Sequence, residues 1–178
     1  MEKDLRDLLN RRLHQRDIRL LGFRLGDEVD GLLLQQTIEL MLADDGRTGC
    51  NAAWVLTYLP RDKYQQLMPF RSQLMTEAMS TASTTKCRLI LTLLLRLPFD
   101  AASVRTDFLD FCLGHLLLAD VPVGIRSVCL HLSCQQVQLY PELSGELLQT
   151  LDQLEQEPLS AALVSSVRRV RKQLQHRL

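Results

Sequence analysis

The chain has 178 residues, of which 46% are hydrophobic and 24% charged, with leucine dominant and only 8 Gly and 6 Pro. A chain of this length buries roughly 70% of the surface its unfolded form exposes, so one domain with an ordinary core is expected, without a disulfide or metal to hold it. Lys and Arg together number 21 and so do Asp and Glu, which excludes a general electrostatic attraction to nucleic acid or to an anionic membrane.

The five cysteines, at 50, 87, 112, 129 and 134, are odd in number and hold no C-x-x-C pair. They read as small buried hydrophobes in a reducing cytoplasm. The N-terminus is charged from Glu2 onward, with no apolar core of the kind a signal peptide carries. The longest apolar stretch, residues 89–97, is interrupted by Thr92 and Arg96 and falls far short of the ~20 residues of a spanning helix. A soluble, cytoplasmic protein without a membrane partner is expected.

Leu5, Leu8, Leu9 and Leu13 recur at helical spacing, acidic early (Asp4, Asp7) and basic late (Arg11, Arg12), as the helix dipole favours. Asp17 is the N-cap candidate for a second helix running to Leu25; Gly22 lies inside it and Gly26 marks a break. Residues 28–43 form the next helix, with Val29, Leu32, Leu33, Ile38, Met41 and Leu42 on its buried side. Asp44, Asp45 and Gly46 make a turn. Gly46 and Gly49 form a Gly-x-x-Gly, but a phosphate loop needs a preceding strand and a Lys-Ser/Thr ending, and neither is present.

Residues 50–59 are a helix closed by Pro60, and 62–80 another, kinked or restarted at Pro69. The central helix, 84–97, reads TTKCRLILTLLLRL; Ser83 or Thr84 caps it and Pro98 ends it. Residues 104–118 carry Phe108, Phe111, Leu113, Leu116 and Leu117. Residues 123–139 carry Ile125, Val128, Cys129 and Leu132, and 143–155 carry Leu147, Leu148, Leu151 and Leu154. Pro158 stops that helix, and a last one covers 160–177. No alternating run is long enough for a strand.

Three of these helices are copies of one element. Asn51, Arg88 and Arg126 correspond at steps of 37 and 38 residues, and the same register aligns Ala53 with Ile90 and Val128. Each copy is followed by a second helix, giving the pairs 50–59 with 62–80, 84–97 with 104–118, and 123–139 with 143–155. A two-helix unit of this length is the sign of a HEAT or armadillo array, in which pairs stack because none buries its apolar faces alone.

RTGCNAAWVLTYLP resembles a HEAT first helix, and so does VPVGIRSVCLHLSCQQVQLYPEL with its proline, Arg126 and closing Pro-Glu-Leu. More closely, NAAWVLTYLP, DFLDFCLGHLLLADVPVGIRSVCLHL and the basic VSSVRRVRKQL resemble a group of small bacterial HEAT-like proteins common in Bacteroidetes. The resemblance implies a binding platform. Members of that group have sometimes carried an adenylosuccinate lyase label. The lyase's catalytic loop is Gly- and Ser-rich, with a Met-Pro and a Lys-x-Asn; residues 80–88, STASTTKCR, have none of this beyond serines and one lysine. No lyase activity is expected.

Four constellations carry possible chemistry. Cys112-x-x-His115 and His131-x-x-Cys134 could converge on zinc, yet Cys112 and His115 share a packing face with Phe108 and Phe111, and His131 and Cys134 lie off the Ile125–Leu132 face. A Cys112–His115 nucleophile pair lacks an orienting third group. Trp54 and Tyr58 share a face; a surface aromatic pair could be an interface anchor, but on a first helix the first reading is that they fill the contact between repeats. Arg168, Arg169, Arg171, Lys172 and Arg177 make the last helix basic, with no Asp or Glu from residue 160 onward. The first reading of that patch is the polar outer face of a terminal repeat; the second is a contact for a partner or anion.

The expected fold is therefore all-α: an α-α superhelix, a HEAT/ARM-like solenoid of about four helix pairs plus a C-terminal capping helix, as one domain over residues 1–178. The expected function is a non-enzymatic protein-protein interaction or scaffold module with an unidentified protein partner and no cofactor, metal or catalytic residue. The alternative is a nucleic-acid-binding HEAT-like protein that uses Arg168, Arg169, Arg171 and Lys172.

Overall fold

Leucines spaced three and four apart, few β-branched residues and few glycines favour helix at almost every step, and the computed structural model, which describes residues 2–28 and 30–175, is built accordingly. Its residues cluster into two compact units, Met1–Leu97 and Pro98–Leu178. The first holds α1 (Glu2–Leu9), α2 (Gln15–Asp27), α3 (Leu32–Ala43), α4 (Arg47–Leu56), α5 (Arg71–Ser80) and α6 (Thr84–Arg96). The second holds α7 (Thr106–Leu117), α8 (Val123–Val137), α9 (Ser144–Leu154) and α10 (Ala161–Gln175). There is no strand among the described residues, and the fold is the all-α helical-repeat class expected.

In the first unit α3 packs along α4 and α5 along α6, while α4 also lies against α6, α1 and α2. In the second, α7 packs along α8, α8 lies against α10, and α7 against α9. Contact between alternate helices is what stacking of a two-helix unit produces. The closest hairpins are out of phase with the pairs expected from the sequence. The reason is linker length: α3–α4 and α5–α6 are joined by tight turns, whereas the ten-residue 3₁₀ helix Arg61–Phe70 separates α4 from α5. At about 2.0 Å of rise per residue it carries the chain roughly 20 Å. Pro69 lies inside it and has no N–H to give an α-helical ladder, so the α-helix restarts at Arg71.

Hydrogen bonds between repeats show the period directly. Arg96 to Thr57, Tyr140 to Ala101, Ser127 to Ser166 and Cys134 to Gln173 all join residues 39 apart. The last two place α10 beside α8 as its repeat equivalent, one period on. The central α6 buries Cys87, Leu89, Ile90, Leu91, Leu93 and Leu94 between α4 and α5, at roughly 1.5–3 kcal/mol for each fully buried large side chain.

Several boundaries differ from expectation. Asp17 is not the N-cap of α2: His14 is, and Asp17, three residues on, accepts the His14 N–H at 3.0 Å. Gly26 does not end α2, which runs on to Asp27. The third helix starts at Leu32 instead of residue 28, because Gly31 takes φ 64°, a left-handed turn closed to most side chains. Glu28, ahead of that turn, accepts the Leu33 N–H at 2.5 Å. Leu32, expected on the buried side, is 44% exposed. Val29 and Arg177 lie outside the described residues. Ser83 caps α6 as expected, accepting the Lys86 N–H at 3.3 Å.

Candidate functional site

The most connected polar cluster joins the α3–α4 turn to the α5–α6 turn. Asp44 accepts the N–H of Gly46 at 2.8 Å and of Gly49 at 3.2 Å, satisfying donors at the start of α4. These bonds, the Gly46 one foremost, hold its carboxyl below the usual range. Asp45 accepts the Thr81 hydroxyl at 2.6 Å, the Lys86 ammonium at 3.0 Å and the Ala82 N–H at 3.2 Å. Its pKa is lowered to about 2, first by Thr81 and then by Lys86.

Lys86 is fully buried. Its ammonium donates to the Asp44 carbonyl at 2.9 Å, to Asp45 at 3.0 Å and to Glu77 at 2.5 Å. An ammonium has three donors, and all three are used. The one lysine in the segment compared with the lyase loop is thus a clamp between successive repeats, with no N–H left over for a substrate. The sequence reading missed it. The available signal was a lone lysine on an apolar helix, about one period after an Asp-Asp turn.

The residues weighed for zinc do not assemble a metal site. Cys112 is buried in α7, and the His115 ring lies 2.8 Å from the Phe111 carbonyl and 3.9 Å, centroid to centroid, from the Phe111 ring. Cys134 faces Gln173 of α10 at 3.4 Å. Burial, and then the charge of Arg169, lowers the His131 pKa. Among the described residues no three His, Cys, Asp or Glu side chains group as metal ligands.

The repeat-aligned positions divide. Asn51 donates to the carbonyls of Leu9 and Arg11 at 2.7 and 3.0 Å, and Arg126 to that of Leu116 at 3.0 Å. Both therefore tie off the C-terminal end of an earlier helix. Arg88, aligned with them, is exposed.

On α10, Leu163, Val167, Val170 and Leu174 face inward. Arg171 is held by Asp152 of α9 and by Glu155, the residue that caps its C-terminus, each at 2.6 Å. Arg168, Arg169 and Lys172 are exposed. The four residues singled out in the sequence thus separate into one ion-paired arginine and three solvent-facing cations.

A surface that sequence reasoning passed over lies in the first unit. Helix α2 buries Ile18, Gly22, Leu25 and Gly26 and turns Arg16, Arg19, Leu20 and Phe23 outward. It approaches the end of α4 very closely. A Cβ on Gly22 would stand 2.6 Å from the Tyr58 Cβ and 2.9 Å from its backbone carbonyl, so only glycine fits. Gly22 is where α2 touches Tyr58. Two hollows of 780 and 470 Å³ meet at Phe23. Tyr58, Pro60 and Tyr64 wall the larger and Leu20 the smaller; Arg16, Arg19, Arg61 and Arg96 border them, and no Asp or Glu lines either. Arg96 donates to the Thr57 carbonyl at 2.5 Å and the Tyr64 hydroxyl at 3.1 Å, with its guanidinium 5.9 Å from the Tyr64 ring centre. The Tyr58 hydroxyl accepts from Gln15 at 3.0 Å.

Comparison with curated proteins and with solved structures gave no match. A family model described as a HEAT repeat domain matches residues 5–174. With alternate helices stacked in each unit and inter-repeat bonds at a constant step, the chain belongs to the HEAT repeat domain family.

Proposed function

We propose that this chain is a non-enzymatic protein-interaction module. The supporting observation is the outward face of α2, where Leu20 and Phe23 are 55% and 48% exposed beside a groove rich in aromatic side chains and arginine. An exposed Phe23 beside further aromatic rings and arginine matches the composition of protein interfaces, which are enriched in aromatic residues and Arg. HEAT repeats commonly mediate protein interactions, and all three donors of the Lys86 ammonium are used in holding repeats together. No helix among the described residues is long and apolar enough to cross a membrane. The proposal includes a cytoplasmic location, a single working domain over residues 1–178, and kinship with small bacterial HEAT-like proteins that lack the lyase chemistry. An affinity pull-down from native lysate, washed at moderate and high salt, tests it. A reproducible protein partner is expected; recovery of nucleic acid alone, falling steeply with salt, refutes it.

A second reading is favoured by Arg168, Arg169 and Lys172, exposed on a helix without a carboxylate: nucleic-acid binding through α10. A gel shift that is lost in Arg168→Glu/Arg169→Glu/Lys172→Glu would support it. No shift at low salt rejects it.

A further inference from the structure

We propose that the groove between α2 and the Tyr58–Tyr64 segment binds an acidic peptide carrying a bulky apolar anchor residue. This rests on the protein-interaction reading and names the partner's chemistry. The charge argument comes first. Arg16, Arg19, Arg61 and Arg96 border the groove without a lining carboxylate, so a ligand supplying acids meets complementary charge and a basic one is repelled. Arg16, Arg19, Leu20 and Phe23 fall at i, i+3, i+4 and i+7, a single helix face, so cations and apolar side chains are presented as one strip.

Arg96 is positioned in advance. Its bonds to Thr57 and Tyr64 run through Nη1 alone, and its Nε–Nη2 edge has no hydrogen-bond partner among the described residues. That edge is the one that grips a carboxylate with two parallel bonds. A guanidinium already held in place loses little further freedom on binding.

The apolar part argues for a peptide over a single strand of nucleic acid. A strand requires successive aromatic faces for base stacking. Here Arg96 lies over the Tyr64 ring and Tyr58 is half-buried against α2, leaving Phe23 as the one largely exposed ring of the groove. The remaining apolar wall is Leu20, Leu59, Pro60 and Leu95, which suits a Leu, Phe or Trp side chain.

The test selects a random display library of about twelve-residue peptides on the full chain. The winner is then synthesised and its Kd measured against wild type, Arg16→Glu/Arg19→Glu, Phe23→Ala and an Arg168→Glu/Lys172→Glu control on α10, each checked for folding by circular dichroism. All the altered side chains are exposed. The selected peptides are expected to carry excess Asp and Glu around a bulky apolar residue. Their Kd is expected to rise by roughly threefold or more in both groove variants, as loss of exposed charge pairs and of an anchor implies, and to stay unchanged in the α10 control. Selected peptides without acidic bias, a smaller change in either groove variant, or tighter binding of an oligo-dT of equal length would overturn the proposal. The parent reading fails separately. A lysate partner recovered equally by wild type and Arg16→Glu/Arg19→Glu leaves the interaction module standing and removes the groove from it.

Discussion

Replacing Lys86 by Met tests whether the buried cluster holds the repeats together. Methionine keeps much of the length and apolar stem but removes the charge. The Glu77 side chain, only 15% exposed, then keeps a carboxylate without its 2.5 Å partner, while Asp45, 47% exposed, can turn to water. Losing a hydrogen bond to a charged group costs about 1.5–3 kcal/mol, and breaking a buried pair on one side costs about 3–5 kcal/mol. The expected loss by urea denaturation is therefore about 3–5 kcal/mol, or roughly 6–20 °C in Tm for a chain of this size. The double variant Lys86→Met/Glu77→Gln removes the stranded charge and is expected to recover a large part of the loss. A loss below about 1 kcal/mol for Lys86→Met, the size of an exposed pair, would refute the view of Lys86 as an inter-repeat clamp.

Four other outcomes are expected. Asp45 has a folded pKa depressed from 3.8 to about 2, so its contribution to stability is complete above the unfolded value and is lost as pH falls through that window; Thr81→Val should raise its NMR-measured pKa toward 3.8, because the Thr81 hydroxyl is the largest cause. His131, lowered by burial and then by Arg169, should move up only partway toward 6.5 in Arg169→Ala, since burial remains. Gly22→Ala places a Cβ against Tyr58 backbone atoms and should destabilise by about 1–3 kcal/mol, while Gly114→Ala in α7, where nothing lies within 4 Å, should stabilise by roughly 0.5–1 kcal/mol; denaturation midpoints with equal sign would contradict the contact at Gly22. Arg171→Ala loses two ion pairs whose carboxylates are 67% and 44% exposed and so already well solvated, and a loss of more than about 1 kcal/mol by denaturation midpoint would be unexpected.

Helix positions, the Ser83 cap and the repeat itself were legible because they rest on local periodicity and turn chemistry. Boundaries slipped where one residue overrode the pattern. Gly31 at φ 64° delays α3, and Asp17 bonds back to His14 from inside α2. The pairing phase was not legible, because the i, i+3 step of Tyr64, Leu67 and Phe70 also fits an α-helix and does not by itself mark the ten-residue 3₁₀ segment. Lys86 and its acceptors stayed hidden for a different reason: Asp44 and Asp45 precede it by 42 and 41 residues, and only the stacking of repeats turns that separation into contact. The α10 cations were visible as a run, but the ion pairing of Arg171 with α9 was not. Gly22 was visible as a glycine inside a helical pattern, but its reason, the close approach of Tyr58, lies 36 residues further along the chain.

The balance of 21 cations against 21 anions constrains the whole chain's behaviour and leaves any one surface free. At physiological ionic strength a charge is felt over about 8 Å, so what matters at the α2 groove is which acids lie within that reach. Several of the chain's carboxylates are spent elsewhere: Asp44 on the first turn of α4, Asp45 and Glu77 on Lys86, Asp152 and Glu155 on Arg171. The lining of the groove itself holds four arginines and no carboxylate, an excess of positive charge at that surface inside a neutral protein. Neutral overall charge therefore argues against indiscriminate attraction to polyanions while leaving room for one acidic ligand at one place. The two cases differ in their response to salt. Binding at the groove should weaken modestly as salt rises, because a few charges are screened while the apolar anchor is not. Tracking of a nucleic-acid backbone should fall steeply, with a slope set by the number of phosphates neutralised.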